Sequence, residues 1–309
     1  MSTAPAPEFV RRPAVGYGLY LLAATLFSLN GTVSKYLLLS GIFWARLSQL
    51  RVTLAFLVLL VTVLVVNRSA LRLRGQGREI LAYGILGIAA SQSLYFMSIQ
   101  RMPIGVSLLF EFTAPIMVAL WFKYVLHEPV RDRVFLALVL ALVGLGMVAQ
   151  IWHGFTLDAI GLIAAFGAAV AMTFYFIKGE RLVAKRDPVS LTMLGFGAAA
   201  LFWAIAQPWW LFPWDKLHST ITLIEGSHPT LPTWVLIFYM VVFGTVIPFA
   251  LMLASLRHLR ATQASIMGMT EPVIASLIAF ALLGESMTPI QILGGAIVLG
   301  AVILAETSR

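Results

Sequence analysis

The sequence predicts an all-α membrane protein: ten transmembrane helices, arranged as two inverted five-helix repeats around a central cavity. Three observations predict this class. Apolar residues fill 60% of the 309 positions and charged residues only 11%, where soluble domains carry about 25%. Apolar runs of about 20 residues, each enough to cross roughly 30 Å of hydrocarbon as a helix, recur from end to end. The chain also repeats itself, since a shift of 157 residues carries Ser98 onto Ser255, Thr113 onto Thr270, Pro115 onto Pro272 and Glu128 onto Glu285 without a gap.

In order, spans are expected near residues 14–38, 43–66, 79–99, 104–125, 132–151, 158–178, 189–212, 232–255, 261–283 and 287–306. The first follows Arg11–Arg12 and has no small-residue cleavage site, so it reads as a retained helix rather than a removed signal. Only 15 residues, 52 to 66, separate Arg51 from Asn67. That is too short to span, so the second helix must reach back to Phe43, burying Arg51 and leaving Arg46 to snorkel. The fourth and fifth spans are divided by the polar knot from His127 to Arg133. Trp209 and Trp210 close the seventh as interface aromatics, and the loop Pro213–Pro232 follows. In the eighth, Pro248 stands four residues after Gly244 and is expected to kink the helix as a gating point. Gly144, Gly146, Gly294, Gly295 and Gly300 suit the fifth and tenth helices to close packing, within the chain or between protomers. Runs such as Val52–Val66 lack period-two alternation, which excludes a barrel.

The formal charge of +8 is a topology signal, not a nucleic-acid footprint. With the N-terminus inside, the cytoplasmic loops hold Arg11, Arg12, Arg68, Arg72, Arg74, Arg78, Arg131, Arg133, Arg181, Lys185, Arg186, Arg257, Arg260 and Arg309, against Arg101 and Lys216 opposite. Both termini are therefore expected in the cytoplasm, on a multi-pass protein of the inner membrane. Cysteine is absent, and the five histidines show no ligand spacing, so no metal and no cofactor are expected. Glycine triplets in "GLGMVA" and "GFGAAA" lie inside spans with no strand before them, which removes the dinucleotide reading.

The first helices align at a shift of 143, placing Gly18 on Gly161 and Lys35 on Lys178, and the 14-residue difference falls in the Pro213–Pro232 loop. Two units follow, 1–153 and 154–309. Five spans are an odd number, so the second unit enters the membrane in the opposite sense. Halves related in this way can exchange conformations and expose one site to either side, the architecture of a secondary carrier.

The stretch "SLRHLRATQASIMGMTEPVIASLIAFALLGE" followed by "QILGGAIVLGAVILAE", repeated more faintly from Ser98 to Gly146, resembles the EamA family of the drug/metabolite transporter superfamily. The resemblance implies a ten-helix fold with cytoplasmic termini and a cavity enclosed by helices one to four and six to nine. It also implies export of amino acids and related metabolites, other members moving sugars or nucleotide-linked compounds.

Glu111 and Glu271 are the carboxylates well inside the expected spans. A charge at that depth costs at least about 2.5–3.5 kcal/mol on insertion scales, so it faces a cavity or a partner. Superposing the repeats sets Glu111 on Gly268 and Glu271 on Ala114, one helical turn apart on a shared face. Pro115 and Pro272 leave the carbonyls of Glu111 and Gly268 without helical donors, which adds oxygen to a cation-friendly spot. Each glutamate can take a proton or a substrate ammonium, not both; the alternative is that it pairs with an arginine or glues neighbouring helices. In the family pattern the ninth-helix glutamate is common, while Glu111 departs from the usual fourth helix. Arg51 either holds a substrate carboxylate or neutralises a glutamate. Expected wall residues are Asn30, Gln92, Tyr95, Phe96, Thr173, Tyr175, Tyr239 and Thr245, with belt or packing roles as the plain alternative. Glu128 and Glu285, at helix ends, read as anchors or caps, as do Lys35 and Lys178.

The reading is a proton-coupled exporter of amino acids or related small polar metabolites, a monomer or homodimer and not an enzyme. The alternative within the fold is a flippase-like carrier of lipid-linked, sugar or nucleotide metabolites. From a different class comes an integral-membrane enzyme or scaffold, which would need clustered nucleophile, acid and base or metal ligands.

Overall fold

The computed structural model describes residues 11–66, 68–71, 73, 75–152, 158–222, 230–283 and 286–308; Arg72, Arg74, Glu285, Arg309 and the join at 153–157 lie outside them. Ten helices cross in succession: α1 Pro13–Leu39, α2 Trp44–Val66, α3 Gly77–Arg101, α4 Ile104–Val125, α5 Asp132–Val148, α6 Ala159–Val183, α7 Pro188–Ala206 and α8 Thr233–Ser255. Then come α9, in two pieces Ala261–Gly268 and Glu271–Leu283, and α10 Pro289–Thr307.

Local chemistry fixes the ends. Proline begins α1, α7 and α10, where its missing N–H costs nothing. Asp158 and Asp187 cap α6 and α7 by accepting from Gly161 N at 2.7 Å and Ser190 N at 2.9 Å. Thr288 and Gln291 cap α10 reciprocally. The expected seventh span is too long: α7 stops at Ala206 because Pro208 forces Gln207 into extended backbone, φ −139°, ψ 115°. Beyond it lies a structure the hydropathy pattern did not foresee, a short antiparallel ribbon of β1 Thr220–Thr222 against β2 Thr230–Pro232. Between α7 and the ribbon in sequence, Trp209 and Trp214 stack with 6.0 Å between ring centres.

Packing obeys the repeat. The main helix contacts are α1 with α8 and its counterpart α6 with α3, α1 with α9 and its counterpart α6 with α4, and the self-paired contacts α2–α7 and α5–α10. Each element of one half meets the other half as its counterpart does, which is the pattern of two inverted repeats. At the α5–α10 seam Gly144 and Gly294 meet within the chain, a Cβ on Gly144 standing 2.7 Å from the Gly294 carbonyl oxygen. Backbone lies against backbone there, as small residues permit in lipid. A Cβ on Gly300, by contrast, would meet nothing within 4 Å, so that glycine serves no close packing inside the described residues. At the centre the buried Phe249 of α8 meets Phe27, Tyr175 and Phe196 edge to face at 5.2, 5.7 and 5.1 Å.

Candidate functional site: two acids at matched helix breaks

Both Glu-Pro helices break, and they break at the same place. In α4 the first segment runs Ile104–Glu111 and the next begins at Ala114; in α9 the segments are Ala261–Gly268 and Glu271–Leu283. A shift of 157 carries each boundary onto the other. The turns are bonded alike as well. Thr113 N donates to Phe110 O and Thr270 N to Met267 O, both at 3.1 Å, and the two threonine hydroxyls donate to those same carbonyls at 2.6 and 2.7 Å. Pro115 and Pro272 sit in the first turn after each break, where a missing N–H is tolerated, so the chain restarts a helix instead of kinking one. Glu111 thus ends one segment, and Glu271 opens another at its partially positive end.

Both carboxylates border one central, partly open chamber of about 80 Å³. Asn30, Arg51, Gln92 and Tyr95 line it with them. A second chamber of about 150 Å³ lies between α1, α4, α5 and α9, and Gly31, Tyr95, Leu108, Phe112 and Glu271 belong to both. Glu271 therefore stands at their junction. Asn30 Oδ1 and Gln92 Oε1 are buried and accept no hydrogen bond from the described residues, which leaves polar capacity beside the acids.

Arg51 is fully buried, 1% exposed, and its contacts follow from a proline on another helix. Pro248 has no N–H, so the Gly244 carbonyl one turn earlier loses its helical donor. Arg51 Nη2 replaces it at 2.8 Å, and Nε donates to Thr245 Oγ1 at 2.6 Å. A widened π turn, Val242–Val246, surrounds this point, with the Thr245 hydroxyl passing its own proton to Met240 O at 2.6 Å. The guanidinium also lies over the Phe96 ring, 5.2 Å from its centre. Among the described residues no carboxylate comes within ion-pair distance of it.

The other expected wall residues fall behind this surface. Phe96 supports Arg51, and Thr245 is held by it. Thr173 donates to Ala169 O and, across to α4, to Ala114 O. Tyr175 is buried, stacked on Tyr83 at 5.2 Å, and Tyr239 stacks on Phe243. Sequence reasoning missed Tyr20, Phe27, Phe112, Met172, Phe176 and Ser265, all of which line the chamber. They are ordinary residues for a buried helix face, and only the folded contacts single them out. Of the charges read as anchors, Lys35 donates to Ile99 O and caps the end of α3, and Glu128 pairs with Arg260 at 2.6 Å.

Below the chamber, on the side of both termini, the helices are tied together. Tyr17 of α1 donates to Glu306 of α10, and Gln263 of α9 donates to both, at 2.9 and 3.2 Å. Arg11 pairs with Glu180 at 3.3 Å, and the other oxygen of that carboxylate accepts from Ala261 N. Gly16 rests directly on Leu259, where a Cβ would come within 2.6 Å of its side chain.

The model of the EamA-like transporter family matches residues 14–150 and again 159–307, nearly the whole chain in two copies. The chain belongs to the EamA-like transporter family. As a member it is a multi-pass membrane transporter. It is 28% identical over 232 residues to the threonine/homoserine exporter RhtA of Escherichia coli (strain K12), covering 75% of this chain and 70% of that one. It is 24% identical over 294 residues, 92% of each chain, to the uncharacterized inner membrane transporter YicL of Salmonella typhimurium. An uncharacterized transporter of Archaeoglobus fulgidus is 26% identical over 227 residues, covering 72% of this chain and 75% of its own. A solved crystal structure only 17% identical in sequence superposes with a TM-score of 0.75 over 96% of this EamA-like chain and 97% of its own, which establishes the shared fold.

Proposed function

We propose that this protein is a proton-coupled exporter of amino acids or related small polar metabolites in the inner membrane, with both termini in the cytoplasm and residues 1–153 and 154–309 as its two repeat units. One observation carries the reading: Glu111 and Glu271, at repeat-matched helix breaks, border one chamber deep in the membrane. A carboxylate there binds a proton or a substrate ammonium, and competition between them couples the two flows in opposite directions. Relatives named as threonine/homoserine exporters support the substrate class, and the basic residues crowding the loops on the terminal side support the orientation. The boundary between the two units rests on the offset of the repeat.

The test uses the purified protein in proteoliposomes, with L-threonine and L-homoserine as probes and an imposed pH gradient. The expected result is accumulation that collapses with the gradient and is lost in Glu271→Gln, while Glu111→Gln weakens it. Undiminished gradient-driven flux in Glu271→Gln removes the proposal.

A further inference from the structure

Deepening that reading, and resting on its amino-acid class, we propose that the two chambers divide the substrate between them. The first holds the ammonium and carboxylate, the second holds the side chain, and Gly31 sets the width of the opening that joins them. The argument is a separation of lining chemistry. Glu111, Arg51, Asn30 and Gln92 line the first chamber and not the second. Apart from Glu271, which borders both, the second is lined among the described residues by aliphatic groups, two rings and the hydroxyls of Ser28, Thr32 and Ser276. An amino acid is partitioned in the same way, a polar head and a side chain joined at one carbon.

Each part of the substrate meets a complementary group. Arg51 spends Nε and Nη2 on Thr245 and Gly244, while its Nη1 makes no hydrogen bond among the described residues, so the end of the guanidinium can still donate to a carboxylate. Glu271, at the junction, takes the ammonium once its own proton has left. In the second chamber, Ser28 and Ser276 donate to the Thr25 and Pro272 carbonyls at 2.7 and 3.0 Å. Their oxygens remain acceptors for a hydroxyl on the substrate. A protein cavity of about 150 Å³ admits a benzene ring, so room for the side chain is limited by the opening and not by the chamber behind it.

The residues common to both chambers ring that opening, and Gly31 of α1 is the one without a side chain. Glycine inside a helix destabilises it relative to alanine, so its presence calls for a reason. Close packing is not the reason here. A Cβ on Gly31 would stand 2.9 Å from the Tyr95 hydroxyl and 3.7 Å from Ile104 Cγ2, both of them chamber wall, with no backbone atom within 4 Å among the three nearest. Gly105 makes the contrast, since a Cβ there would strike Ala149 at 2.7 Å, and its smallness is used to seat α4 on α5. A methyl group on Gly31 takes the space of the opening itself and forces Tyr95 to move.

The test uses the full-length protein in proteoliposomes held at one pH on both sides, and measures exchange of labelled glycine, L-threonine and L-valine. In Gly31→Ala the rate for L-threonine relative to glycine is expected to fall on the order of tenfold or more, the scale of an overpacked contact. Ser276→Ala removes an acceptor without touching the opening, and L-threonine is expected to lose roughly fivefold against its isostere L-valine. Equal losses for glycine and L-threonine in Gly31→Ala would mean that the glycine serves folding alone, and overturn the inference. If that variant does not fold, or glycine is not carried, the Ser276→Ala ratio decides, and an unchanged ratio overturns it. These outcomes leave proton coupling standing, because no pH gradient is applied. Exchange of none of the three by the wild type overturns the amino-acid reading and this inference together.

Discussion

At the residue scale, Arg51 is a splint for a broken hydrogen-bond ladder. Replacing it with methionine keeps the bulk and strips the donors from Gly244 O and Thr245 Oγ1. The orphaned carbonyl should cost about 1–3 kcal/mol, read as a lowered thermal midpoint in detergent, and Arg51→Lys should recover part of it. The two acids were legible from sequence because a charge at membrane depth is rare enough to mark a site. The partner of Arg51 was not. It lies 194 residues away, and nothing in the local pattern says which helix the guanidinium will meet. A second residue to watch is His258, in the loop between α8 and α9, whose Nδ1 accepts from Arg12 N at 3.3 Å. Burial chiefly, and then the charges of Arg12 and Arg257, hold its pKa below the ordinary histidine value of 6.5. Because the unfolded chain takes up this proton first, the contact stabilises the fold above that value and is lost as pH falls through and below it. A histidine titration by NMR should give a midpoint under 6.5, and a midpoint above it would contradict the assignment.

At the element scale, the breaks in α4 and α9 are the main departure from regular helices. The doublet of Glu and Pro announced them, but an unbroken span with a freed carbonyl was the expectation, and the structure instead restarts each helix after a bonded turn. Pro272→Ala restores a donor that can reach Gly268 O. The expected outcome is a higher thermal midpoint together with slower transport, since a healed helix no longer presents Glu271 on a turn. Faster transport with unchanged stability would argue against a working role for the break. Span positions were legible because hydrocarbon thickness sets their length, and eight of the ten helices are apolar runs of at least 19 residues. The end of α7 was missed because Trp209 to Phe212 are as apolar as a helix interior, and hydropathy does not register the backbone restriction imposed by Pro208. In the ribbon β1–β2, each strand is three residues long and carries no alternation long enough to read.

At the scale of the whole molecule, polar ties among α1, α6, α9 and α10 hold the bundle together on the side of the termini. Loosening them should expose the chamber from that side. A protein without native cysteine makes the measurement clean, since a single Ser265→Cys reports without background. Adding Glu306→Ala, which removes the acceptor shared by Tyr17 and Gln263, should speed labelling of that cysteine by a membrane-impermeant thiol reagent applied on the terminal side. Unchanged labelling would mean that the packing of Gly16 on Leu259 closes the passage without their help. The inverted arrangement itself was readable from one number, the odd count of helices in each copy of the repeat.

The glycine seam joining α5 to α10 has a further consequence for assembly. It holds the last helix of one half against the last helix of the other through their backbones, so the covalent join between the halves is not what keeps them together. Two polypeptides, one ending after α5 and the other starting before α6, should therefore find each other in the same bilayer and reconstitute a working protein, whereas a bulky side chain at Gly294 should let them drift apart.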